Sequence, residues 1–148
     1  MRIHAPRMAL TALSALAATA VFTAPAQATV FDQGISVKSR VHIGADGAVT
    51  LSGTYHCRQA SPGGAIQIKA TLVQDDVRLG IGAGDAVCDD QVHQWTARSK
   101  PGFDLGLHEG SAKAVAELQE IHFNGGLLPR AVDTVARDET DAWVADHR

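Results

Sequence analysis

Nine residues, Val49 to Cys57 (VTLSGTYHC), constrain this chain more than any others. Val49, Leu51, Tyr55 and Cys57 fall on alternate positions with Gly53 between them, while Thr50, Ser52, Thr54 and His56 take the other side. A period of two marks a half-buried β-strand with its apolar face inward. The strand ends on a cysteine aimed at the core. Cys88, 31 residues further on in AVCDD, is the only other cysteine, so each has one partner available within the chain. A fold that satisfies both features is built of strands around that pair.

The first 28 residues read as a cleaved secretory signal rather than as part of the fold. Arg2 and Arg7 give a positive start, Met8 to Phe22 is uncharged and apolar, and Ala26-Gln27-Ala28 supplies small residues at −3 and −1. The apolar run is shorter than the roughly 20 residues a spanning helix needs. The expected mature chain, Thr29 to Arg148, is one domain by length, large enough for a modest core. Without Arg2 and Arg7 it carries 11 basic against 16 acidic residues, a formal charge of −5. An acidic domain with no Lys/Arg cluster is a poor partner for nucleic acid. No second apolar stretch is long enough to span a membrane, so a secreted, extracellular location is expected. In that oxidising setting Cys57 and Cys88 read as a disulfide rather than a metal site or catalytic thiol.

Turn signals divide the rest into short strands. Ile35, Val37, Val41 and Ile43 alternate with polar residues, and Gly44-Ala45-Asp46-Gly47 supplies turn chemistry, so 35–57 reads as a hairpin. Ile66 to Leu72 gives a third strand. Val77, Leu79 and Ile81 mark a fourth, running into Gly80-x-Gly82-x-Gly84. Residues 86–97 read as two short strands about Asp89-Asp90, and 98–110 as a loop. Residues 111–123 combine helix-forming composition with the alternation Ala112, Ala114, Ala116, Leu118. The period of two in every neighbouring segment favours a strand. Ala131 to Ala136 is the expected last strand, and 137–148 a charged, loosely ordered tail. The expected domain is therefore 29–136: all-β, a Greek-key β-sandwich of about 6–8 strands. An inward cysteine near a tryptophan resembles the immunoglobulin-like core. Trp95, however, follows the second cysteine instead of lying between the two.

Asp46-Gly47, Val49 to Tyr55 with Cys57, Ala86-Val87-Cys88-Asp89, His93-x-Trp95 and Leu128-Pro129-Arg130 together resemble a family of small secreted actinomycete proteins of unknown function. The resemblance implies secretion, a β-rich single domain and one disulfide. It brings no catalytic residues.

The sequence carries few marks of chemistry. The glycine run lacks phosphate-loop spacing and is followed by no Gly-Lys-Ser/Thr, so it reads as a bulged strand or turn. There is no G-x-S-x-G, and Ser52 sits mid-strand on the outer face with no positioned base. No two of His42, His56, His93, His108, His122 and His147 lie within four residues. If Ile43 pairs with Val49, His42 and His56 share a face but stand about 20 Å apart. Asp75-Asp76 and Asp89-Asp90 sit at turns, where Asp belongs for backbone reasons. No metal site, cofactor or catalytic residue is expected. The reading is a secreted, non-enzymatic binding or structural module, its partner an extracellular protein or a cell-wall component. The alternative is a small protease inhibitor presenting an exposed loop, and an extracellular hydrolase ranks below both. The candidate partner-binding loop is 98–110, the longest aperiodic segment, because it carries Phe103, Leu105 and Leu107. These three either fold back as an edge strand or plug one end of the sandwich, are presented to a partner, or belong to a disordered segment.

Overall fold

A computed structural model describes residues 33–58 and 60–148. The expected signal segment, 1–28, lies outside them. The described chain is all-β: β1 (Gly34–Val37), β2 (Arg40–Ile43), β3 (Val49–His56), β4 (Gly64–Gln74), β5 (Val77–Asp85), β6 (Val92–Ser99), β7 (Gly110–Phe123) and β8 (Pro129–Asp146).

β3 is the strand on which the N-terminal half assembles. One edge pairs antiparallel with β6 over its full length, Val49 opposite Ser99 through His56 opposite Val92. The other edge takes β1 and β2 in turn, Val37 opposite Gly53 and Ile43 opposite Val49. The expected first strand is thus interrupted. The Ser36 carbonyl accepts from the Trp95 indole Nε1 (3.0 Å) across β3. Gly53 lies beneath this contact, and a Cβ there would overlap the Ser36 oxygen and stand 2.7 Å from the indole nitrogen. Only glycine leaves that space, which is why the alternating apolar face of VTLSGTYHC carries a gap at its centre.

β8 joins this half to the rest. It runs parallel to β2, Arg40 opposite Trp143 and Ile43 opposite Asp146, and antiparallel to β7 along most of its length. β4 and β5 follow, so the order across the sheet is β6, β3, β1/β2, β8, β7, β4, β5. The ladder is one eight-stranded sheet, where the sequence led to the two sheets of an immunoglobulin-like sandwich. The reason is β8, which bonds to a strand of each half and closes the gap that would separate two sheets.

Same-face residues from both ends of this path share one core. Val49, Leu51 and Tyr55 of β3, Trp95 and Ala97 of β6, Ile66, Ile68, Ala70 and Leu72 of β4, and Ala114, Ala116 and Leu118 of β7 form a single buried cluster with Val41, Ile43 and Val144. A flat sheet could not bury both ends of one face against each other, so this one curls over itself. Alanines at 70, 114 and 116 are fully buried, and bulk comes from Trp95 and Tyr55 in the same cluster. β7 is a strand despite its helix-forming composition, because it is laddered on both sides, to β4 and to β8.

Two expectations need correction. Residues 137–146 are the end of β8, not a loose tail. Ala142 and Val144 point into the core, while outward-facing Arg137 and Glu139 pair with Glu117 and Lys113 of β7 (2.6–2.9 Å); the charges are one face of a strand. Residues 86–91 form no strand. Their backbone groups bond singly to Ile66, Tyr55 and Cys57 rather than to one neighbouring strand. The glycine run lies in β5, with an irregularity where Ile68 pairs with Gly84 and Lys69 with Gly82.

Candidate binding cleft at one end of the sheet

Three chain segments meet beyond the ends of β3 and β8. The first is the turn between β2 and β3, where the Asp46 Oδ1 accepts from the Ala48 N–H (3.1 Å) and Asp46 Oδ2 from Arg98 (2.8 Å). The Ala48 N–H, and then the Arg98 and Lys100 charges, hold the Asp46 carboxyl below its ordinary range. The second is the loop 100–109 between β6 and β7. The third is the end of β8, where Arg148 binds back onto Asp146 (2.6 Å). That bond, reinforced by the Arg148 N–H, draws the Asp146 carboxyl down to about 2.

The loop is fixed between Asp104 and His108, on the C-terminal side of Phe103. Gln74, 3% exposed, donates to the His108 carbonyl (2.9 Å) and accepts from the His108 N–H (3.0 Å), as a neighbouring backbone would. Arg148 donates to the Leu107 carbonyl (2.6 Å), and Asp104 closes a local turn by accepting from the Gly106 N–H (2.9 Å). Ile43, Gly47, Val49, Pro101 and Leu105 wall a cleft of about 150 Å³ under this loop, and Asp104 and Arg148 line it too. An aliphatic wall beside one guanidinium and one carboxylate suits an apolar group with a polar end.

The candidate residues Phe103, Leu105 and Leu107 fall in three different places. Leu107 is 6% exposed and belongs to the core, so it is not open to a partner. Leu105 is half-buried on the cleft wall. Phe103 is 74% exposed at its rim. Sequence reasoning missed Gln74 and Arg148, which hold the loop. The first lay in an expected turn and the second in an expected tail, and neither had a local signal.

The opposite end of the sheet holds the expected disulfide. Cys57 and Cys88 are bonded with their Cα atoms 4.6 Å apart. Around them the Tyr55 hydroxyl accepts from the Val87 N–H (3.0 Å), the Cys57 carbonyl from the Asp90 N–H (3.1 Å), and Arg58 pairs with Asp90 (3.0 Å). Glu120, buried nearby, accepts from the Ser61 N–H (2.7 Å); Ser61 hydrogen bonds keep its carboxyl below the ordinary range. Beyond them the turn between β7 and β8 exposes Leu127 (97%) and Leu128 (82%).

The model of a family of unknown function (DUF6299) matches residues 31–142. The chain belongs to that family. No curated protein matches. Among solved structures, it is similar to the sporulation control protein Spo0M from Bacillus subtilis, at 13% identity and a TM-score of 0.35. That likeness covers 78% of this chain and 50% of the other. Among the described residues, no helix is long and apolar enough to cross a membrane.

Proposed function

We propose that this family member is a secreted, non-enzymatic binding module that meets its partner at the 100–109 loop, with Phe103 as the anchor. One observation carries the reading: an aromatic ring stands 74% exposed on a loop whose backbone is hydrogen-bonded in place just beyond it, at Leu107 and His108. Fixing a loop before binding removes an entropic cost that a partner would otherwise have to offset. Exposed aromatics that fit a partner's pocket are the residues that carry interface energy. In this reading residues 1–28 are a cleaved signal, and the disulfide forms outside the cytoplasm. The curled sheet then works as an immunoglobulin-like sandwich does, offering loops at its ends, in a chain of actinomycete type. The partner is an extracellular protein or a cell-wall component.

Phe103→Ser in the oxidised mature protein is the test. Capture from the supernatant and cell wall of the producing culture should yield a partner that the variant loses, with an unchanged melting temperature. Equal capture by both proteins would remove Phe103 from the site. The same pinned loop also suits a protease inhibitor, which would show itself by stoichiometric loss of protease activity.

A further inference from the structure

The parallel pairing of β2 with β8 brings together two histidines that stand 105 positions apart in sequence. His42 lies opposite Ala145, and the next residue on that outer face, one past the end of β8, is His147, diagonally across the pair. Both rings are solvent-exposed. The His147 N–H bonds to the Ile43 carbonyl (2.9 Å), which continues the strand geometry to the second histidine and fixes its backbone.

His42 Nδ1 and His147 Nε2 are 3.4 Å apart, a ring-to-ring hydrogen bond whose direction depends on the tautomer and which a bound ion would replace. The ring planes are 14° from parallel, with centroids 5.7 Å apart. That separation is close to the nitrogen–nitrogen distance plus one ring radius at each side. The rings therefore meet edge to edge, nitrogen toward nitrogen, rather than face to face. A zinc ion binds imidazole nitrogen at 2.0–2.1 Å in tetrahedral geometry, which places two ligand nitrogens roughly 3.3–3.4 Å apart. A square-planar or octahedral ion holds adjacent nitrogens roughly 2.9 Å apart. The observed spacing matches the tetrahedral case. Each ring needs a tilt of about 35° to aim its lone pair at a shared ion, which an exposed side chain can make.

We propose that His42 and His147 form a two-nitrogen site for a zinc ion, with solvent oxygens completing the tetrahedral shell. The other paired histidines differ in chemistry and spacing. His93 and His122 each lie against a carboxylate, Asp89 at 2.7 Å and Asp133 at 3.1 Å. These contacts are closer than the two ligands of a tetrahedral ion. His108 stands 3.8 Å from Asp75, too far apart for the same geometry.

Titration of the disulfide-intact mature protein with zinc chloride at neutral pH, followed by calorimetry and by the histidine ring signals in NMR, tests the site. One saturable equivalent is expected, with the His42 and His147 rings shifting first. His42→Ala and His147→Ala should each weaken binding at least about tenfold, and His93→Ala should leave it unchanged. Melting of the metal-free variants should match the parent, because both rings are exposed. No saturable binding up to millimolar zinc would overturn the proposal. So would retention of affinity in either His42→Ala or His147→Ala, or its loss in His93→Ala.

Discussion

Around Gly53, β3 is fixed from every side: β1 and β2 on one edge, β6 on the other, the Trp95 indole and Ser36 carbonyl above it, and the disulfide just past its end. In the outer part of the β7–β8 hairpin, from Phe123 to Thr134, the backbone ladder continues while every residue is exposed. Phe123, Leu127, Leu128 and Val132 are all exposed there. Both regions carry the same β-ladder, so hydrogen bonding does not distinguish them. What differs is whether a second layer of side chains covers the strand. Structure is therefore held near β3 and merely continued along the hairpin.

Substitutions can break that contrast, starting where it is sharpest. Gly53→Val drives a side chain into the Ser36 carbonyl and the Trp95 indole. It should cost more than about 4 kcal/mol, the range of severe core disruptions, and is read as failure to melt cooperatively. Cys57→Ala with Cys88→Ala releases a loop closed across 31 positions, for which chain entropy gives roughly 3.5–4 kcal/mol. Denaturant unfolding checks it, and an unchanged midpoint would show that the backbone bonds to Tyr55 and Cys57 suffice.

At the root of the hairpin, Glu120→Gln removes the carboxylate that accepts the Ser61 N–H. A hydrogen bond to a charged, buried group is worth about 1.5–3 kcal/mol. Because the folded Glu120 carboxyl sits below its ordinary 4.5, its stabilisation is fully present above that value. It is lost as pH falls through the lower folded one. Acid melts of parent and variant should therefore converge below pH 4.5, and a constant gap would assign the effect to packing. The smallest effect belongs to the tip. Leu127→Ser with Leu128→Ser should shift stability by no more than about 0.5 kcal/mol, and a larger loss would mean the tip is covered in solution.

Alternation alone located most strands, because a strand with one buried face writes its period into the sequence. The pairing of Ile43 with Val49 and the inward faces of β3, β4 and β5 were legible for that reason. Segment 86–91 was not, since single bonds to three separate neighbours leave no period. The end of β8 was misjudged because its outward residues are charged and only Ala142 and Val144 betray the inner face. At the cleft, Phe103 and Leu105 were legible as apolar residues in an aperiodic stretch. The partners that pin the loop, Gln74 and Arg148, were not, because only the folded chain brings them near it. The same holds for His42 and His147, which meet through a parallel pairing that no local rule foretells.

That pairing also sets the order of events during folding. β8 lies between β2 and β7, and its Asp138 carboxylate accepts from the Val37 N–H across 101 positions. Strands that must search over such separations form late, and chains dominated by them fold in milliseconds to seconds rather than microseconds. Until residues beyond 137 have been synthesised, β2 has no neighbour on that edge and the sheet cannot close. The emerging polypeptide should therefore remain open and protease-sensitive for most of its synthesis, then consolidate in a single late step.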